Sequence, residues 1–152
     1  MAIAAIGIIS IACDGGSSSS QTSVVTTLYP LEYFAQRIGG EDVSVVNLIK
    51  PGVEAHSFEP TPQDIRLLDA ADVIIYSGSG FEPWMGRALA AISGSGGPRL
   101  IIKAGREWKN ESHPEETDPH VWLDPLKAME QVKLIRDGLS SADPDGAAMY
   151  AA

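Results

Sequence analysis

Between Ser23 and Ala104, short β-branched runs alternate with amphipathic stretches, and this alternation is the strongest constraint on the fold. "SVVTTLYP", "VSVVNLI", "VIIYSGSG" and "RLIIKA" read as strands. "LEYFAQRIGG", "PQDIRLLDAAD" and "EPWMGRALAAI" lie between them and place their apolar residues at helical spacing, as Leu31, Phe34, Ala35 and Ile38 do in the first and Met85, Ala88, Leu89 and Ile92 in the third. Strands that alternate with helices of roughly ten residues imply right-handed crossovers and an α/β fold, with a mainly parallel sheet covered by helices on both faces. In such sheets ligands bind at the carboxyl ends of the strands.

Two helix starts carry explicit signals. Thr61, Pro62 and Asp64 supply a hydroxyl cap, a proline in the first turn and an early acid; Asp124 and Pro125 open a later helix along Ala128, Val132, Ile135 and Leu139. The glycines of "SGSG" are not followed by Lys-Ser or Lys-Thr, which argues against a nucleotide-binding loop. A net charge of -9 argues against nucleic acid as a partner, because phosphate recognition needs a basic face.

Residues 1–13, "MAIAAIGIISIAC", are almost wholly apolar and are too short to span a bilayer as a stable helix. They have the length of a signal-peptide core and end at Cys13, the only cysteine, so no disulfide can form within one chain. The junction resembles a lipoprotein signal, which implies lipidation of Cys13. A non-lipidated secretory signal and a buried amino-terminal strand are the alternatives. Residues 14–23, rich in Gly and Ser, read as a flexible tether.

His56 lies in "PGVEAHSFEPTP" and His120 in "DPHVWLDP", two of the three histidines, each in a proline-bounded loop. Stiff loops lower the entropic cost of assembling a site, and imidazole is a good ligand for zinc and other first-row ions. If both loops leave the same sheet edge, the histidines converge; otherwise they are two unrelated structural residues. Glu59 and Asp118 are candidate acceptors for the second ring N–H of a ligating histidine, although acids beside prolines also cap turns. "KNESHPEETD", with His113, Glu111, Glu115 and Glu116, reads as a solvated acidic loop in which His113 is a candidate for transient metal contact. Trp84 and Trp122 read as packing residues.

"PGVEAHSFEPTPQDIRLLDAADVIIYSGSGFEPWM" together with "DPHVWLDP" is similar to the amino-terminal lobe of the metal-binding lipoproteins that serve zinc and manganese ABC importers, some of which are also described as adhesins. The resemblance implies a two-lobed α/β protein with a long helix between the lobes and the metal held in the cleft. It makes His56 and His120 the first two ligands of a transported Zn2+ or Mn2+, and expects the third and fourth from the second lobe or another chain. It further implies a non-enzymatic protein outside the cytoplasm, either periplasmic or lipid-anchored on the outer face of the membrane, with the importer permease as partner.

On this basis residues 24–144 form the metal-binding lobe and residues 145–152 begin the interlobe helix, which is cut short along with the second lobe. A chain with only two imidazoles is expected to hold metal weakly. Three other readings remain: a surface adhesin or interaction module, a non-functional truncated fragment, and a metallohydrolase with Glu59 as general base, for which no third zinc ligand can be assigned.

Overall fold

The computed structural model describes residues 21–94, 96–105 and 118–152. The apolar run 1–13 with Cys13, residues 14–20 of the expected tether, and His113 with its acidic neighbours lie outside the described residues.

Four parallel strands form one sheet: β1 (Thr22–Thr26), β2 (Val43–Asn47), β3 (Val73–Tyr76) and β4 (Leu100–Lys103), in the order β2-β1-β3-β4. β1 begins one residue before Ser23, inside the stretch read as tether. The helices are α1 (Tyr29–Gly39), α2 (Pro62–Ala70), α3 (Met85–Ile92), α4 (Pro125–Ala142) and the short α5 (Ala147–Tyr150). Among the described residues no helix is long and apolar enough to cross a membrane.

Period-two alternation divides the strands between two cores. Val24, Val73, Ile75 and Ile102 face Leu31 and Ala35 of α1, Ile135 and Leu139 of α4, and Tyr150 of α5. Val25 and Ile74 face Leu68 of α2 and Met85, Ala88 and Ile92 of α3. The sheet is therefore covered on both sides, as the sequence pattern requires.

The caps explain where α2 and α4 begin. The Thr61 hydroxyl accepts from the Asp64 backbone N–H at 3.2 Å, while the Asp64 carboxylate accepts from the Thr61 N–H at 2.7 Å. Asp124 Oδ1 accepts from the Leu126 N–H at 2.9 Å. Each reciprocal or single cap satisfies backbone donors that the first helical turn leaves without partners. α1 has no side-chain cap and starts at Tyr29, two residues earlier than the apolar spacing suggests.

At the opposite edge from the carboxyl ends of the strands, Asp72 ties three strands together. Its Oδ2 accepts from the Ser23 N–H at 2.9 Å and the Ser23 hydroxyl at 2.7 Å, and its Oδ1 lies 2.7 Å from Arg99 Nη2. Burial pushes the Asp72 carboxyl up, but the hydrogen bonds from Ser23 and Arg99 outweigh it and hold the group below the usual aspartate value. The chain reverses direction at β1, with β2 to one side and β3 to the other, so the crevice of this sheet opens at the carboxyl ends of β1 and β3.

Candidate metal site

The segment after β2 carries His56, and its base is fastened to the sheet. The Leu48 N–H donates to the Thr26 carbonyl at 2.9 Å, and Asn47 Nδ2 donates to the Ile49 carbonyl at 2.9 Å. Further along, the Glu54 carboxylate accepts the His56 backbone N–H at 3.0 Å, closing a local turn. Two residues beyond the histidine, the Phe58 ring packs edge-on against Trp84 with centroids 5.4 Å apart, and Trp84 is buried. His56 is thus held between a hydrogen-bonded turn and an aromatic anchor, while the residue itself remains exposed.

His120 enters from the other direction, just before a short 3-10 helix, Val121–Leu123, that leads into α4. Asp118 Oδ1 accepts the His120 backbone N–H at 2.9 Å and lies 3.1 Å from the ring Nδ1. These two contacts, the backbone one first, hold the Asp118 carboxyl below its usual value. The His120 side chain keeps 41% of its surface exposed, enough for an ion to reach it.

The two histidines meet. Their ring centroids are 5.3 Å apart with an interplanar angle of 67°. Phe81, from the segment after β3, packs against both, 4.5 Å from His56 and 5.8 Å from His120. Trp122 completes the group at 5.3 Å from Phe81 and 5.5 Å from His120. Among the described residues no group of three or more His, Cys, Asp or Glu side chains is placed to hold a metal. Any ion bound here would draw on the two imidazoles.

Of the two candidate acids, Asp118 contacts a histidine ring. Glu59 is turned elsewhere: its Oε2 lies 3.1 Å from Arg87 Nη2, with both side chains largely exposed. The guanidinium of the neighbouring α3 offers a charge partner that an imidazole in a different part of the loop does not.

Phe81 and Glu82 carry a part of the site that the sequence pattern did not mark as functional. Glu82 reads in the sequence as the first residue of a helix, yet α3 starts at Met85 and the Glu82 side chain folds back beneath the strand ends. Its Oε1 accepts from the Thr27 hydroxyl at 2.6 Å and the Ser77 N–H at 2.8 Å, and its Oε2 accepts from the Gly78 N–H at 2.8 Å. Burial pushes this carboxyl above its ordinary value, and the hydrogen bonds from Thr27, Ser77, Gly78 and its own backbone N–H offset part of the shift. An acid directly after an aromatic residue and a Gly-Ser-Gly turn is the only local signal of this arrangement.

A parallel α/β sheet covered by helices on both faces, with its crevice at the carboxyl edge, is the fold of one lobe of a solute-binding protein. Residues 24–152 match the family described as zinc-uptake complex component A, periplasmic (ZnuA), and the chain belongs to that family. It is 32% identical over 157 residues to the zinc-binding protein AdcA of Streptococcus pyogenes serotype M1, covering 89% of this chain and 30% of AdcA. Its structure is similar to that of the metal-dependent lipoprotein YcdH from Bacillus subtilis, with a TM-score of 0.78, 34% identity, and coverage of 86% of this chain and 48% of YcdH. It is also similar to the Zn(II)-bound ZnuA-like domain of AdcA from Streptococcus pneumoniae, with a TM-score of 0.76, 31% identity, and coverage of 87% and 48%. The chain therefore spans between about a third and a half of the length of these proteins.

Proposed function

We propose that this chain is the amino-terminal metal-capturing lobe of the substrate-binding component of a zinc or manganese ABC importer, and that His56 and His120 are its ligands. The observation that carries this reading is the 5.3 Å separation of the two ring centroids. Zinc bound at about 2.0–2.1 Å by one nitrogen from each of two imidazoles in tetrahedral geometry requires centroids about 5 Å apart. The two rings have that spacing, and they stand at the sheet edge where ligands of parallel α/β folds bind.

Asp118 prepares one of the two ligands. A carboxylate facing Nδ1 at 3.1 Å is an acceptor, so it favours the tautomer with a proton on Nδ1 and leaves the Nε2 lone pair for the ion. Two nitrogen donors favour zinc over manganese, which prefers oxygen-rich sites. In this reading residues 24–144 form the lobe, residues 145–152 begin the helix to a second lobe, and a third and fourth ligand come from that lobe or from another chain. The permease is the partner that receives the ion. Residues 1–13 direct the protein out of the cytoplasm, and Cys13 anchors it in the membrane; similarity to lipoproteins such as YcdH supports that placement.

Titration calorimetry with Zn2+ and Mn2+ on the chain and on His56→Ala and His120→Ala tests the assignment. The expected result is one ion per chain, tighter for Zn2+, with binding lost in each variant. Wild-type affinity in either variant would overturn it.

A further inference from the structure

We propose that Glu82 is a positioning residue for the metal site, acting through Phe81 on His56; the proposal rests on His56 being a ligand. His56 is the less supported of the two histidines. Among the described residues no hydrogen bond reaches its ring, and its ring neighbours are Phe81 at 4.5 Å and His120 at 5.3 Å. The orientation of His56 therefore depends on where Phe81 stands.

Phe81 is carried by a segment with an unusual backbone. Gly78, Ser79 and Gly80 have φ values of 76°, 54° and 81°, three successive left-handed residues, of which Ser79 is not glycine. Left-handed conformations in non-glycine residues persist where the surroundings over-determine them. Here the Glu82 carboxylate binds the Ser77 and Gly78 amides from below and ties them to Thr27 at the end of β1. The Phe81 N–H closes the turn by donating to the Gly78 carbonyl at 3.0 Å. The Gly105 N–H, from the end of β4, donates to the Ser77 carbonyl at 2.7 Å.

A buried carboxylate held by the neutral donors named above is costly to keep, and a neutral residue would fill the space with less desolvation. The charge has a specific use here. The Thr27 hydroxyl and the Ser77, Gly78 and Glu82 backbone N–H groups converge on two oxygens, all of them donors that a carboxylate accepts. A glutamine in its place offers one oxygen and an NH2 group, so at least one buried N–H or O–H would face another donor. The loop would have to shift, and Phe81 with it.

The test is a double-variant cycle on zinc affinity, measured on the full chain by competition with a chromogenic chelator. Glu82→Gln and Phe81→Leu are each expected to weaken binding on the order of tenfold, in the range of outer-shell substitutions at metal sites. Their combination should cost no more than the larger single effect, because one acts through the other. Thr27→Val removes one donor while keeping shape; it should lie between wild type and Glu82→Gln and serves in its place if that variant does not fold. The His56 ring 15N shifts of the metal-free protein should move in Glu82→Gln and Thr27→Val, a change that loss of stability alone would not cause.

Multiplicative effects in the cycle, or wild-type affinity in folded Glu82→Gln or Thr27→Val, would overturn the positioning role. If instead His56→Ala binds zinc like wild type, the ligand assignment itself fails. The two failures are therefore distinguishable.

Discussion

One carboxylate oxygen of Asp118 serves His120 twice, accepting its backbone N–H at 2.9 Å and facing its ring Nδ1 at 3.1 Å. The backbone contact fixes the turn, and the ring contact fixes which nitrogen is free. Asp118→Asn is therefore a selective perturbation. The amide oxygen can still accept the backbone bond, but it is a weaker acceptor for the ring. Zinc affinity should fall by about ten- to a hundredfold, with little change in melting temperature because the residue is exposed. Calorimetric affinity equal to wild type would remove Asp118 from the site.

Acidification should release the ion. Protonated imidazole cannot ligate, so each histidine that must be neutral adds a competing proton. With both His56 and His120 bound, the logarithm of the zinc association constant should rise with pH at a limiting slope of about two per unit on the acid side, and of about one if a single imidazole is involved. Equal affinities at pH 5 and pH 7.5 would exclude histidine ligation altogether.

Asp72 gives a pH dependence of stability that is separate from the metal. Its folded-state value is held below the ordinary aspartate value by Ser23 and Arg99 despite the opposing effect of burial. A depressed folded value means that the unfolded chain binds the proton first. The stabilisation is therefore fully present above the ordinary aspartate value and is lost as pH falls through the folded one. Asp72→Ala should cost about 2 kcal/mol at neutral pH, and its unfolding free energy should approach that of wild type as pH falls through the folded value. Urea unfolding from pH 7 to pH 2.5 measures this; a constant difference across the range would contradict it.

The elements that were legible in the sequence are those whose signals are local. β-branched alternation located all four strands, and the hydroxyl and carboxylate caps at Thr61 and Asp124 located two helix starts. The loop histidines were visible as candidates because prolines bound both segments. Their convergence was legible only as a condition, that both loops leave one sheet edge, and through the family resemblance that makes them ligands of one ion, since it depends on the strand order β2-β1-β3-β4, which no local pattern encodes. Phe81 was hidden for the same reason: its contacts to His56, His120 and Trp122 join segments far apart in sequence. On α4 the apolar stripe suggested Val132 as a core position, but the fully buried positions are Gln131, Ile135 and Leu139. A polar side chain at a core position breaks the apolar periodicity from which the buried face is read. Glu82 was read as a helical residue because an acid before a proline is also an ordinary helix-start signal.

Gly105 connects the fold to the site and supplies the last prediction. A Cβ at this position would lie 2.4 Å from the Ser77 carbonyl oxygen, a backbone atom that cannot rotate away as a side chain can. Its N–H donates to that same carbonyl, so the two strand ends approach closely where the Glu82-bound loop begins. Gly105→Ala should force them apart and destabilise the protein by about 1–3 kcal/mol, the usual cost of overpacking. Gly94→Ala, where a Cβ would meet nothing within 4 Å, is the matched control and should change stability by less than about 1 kcal/mol. Because the displaced carbonyl belongs to the residue that starts the Phe81-bearing loop, Gly105→Ala should also weaken zinc binding, while the control should leave it unchanged. Thermal unfolding and chelator competition on the two variants check both halves, and equal behaviour of Gly105→Ala and Gly94→Ala would show that this close approach does not support the site.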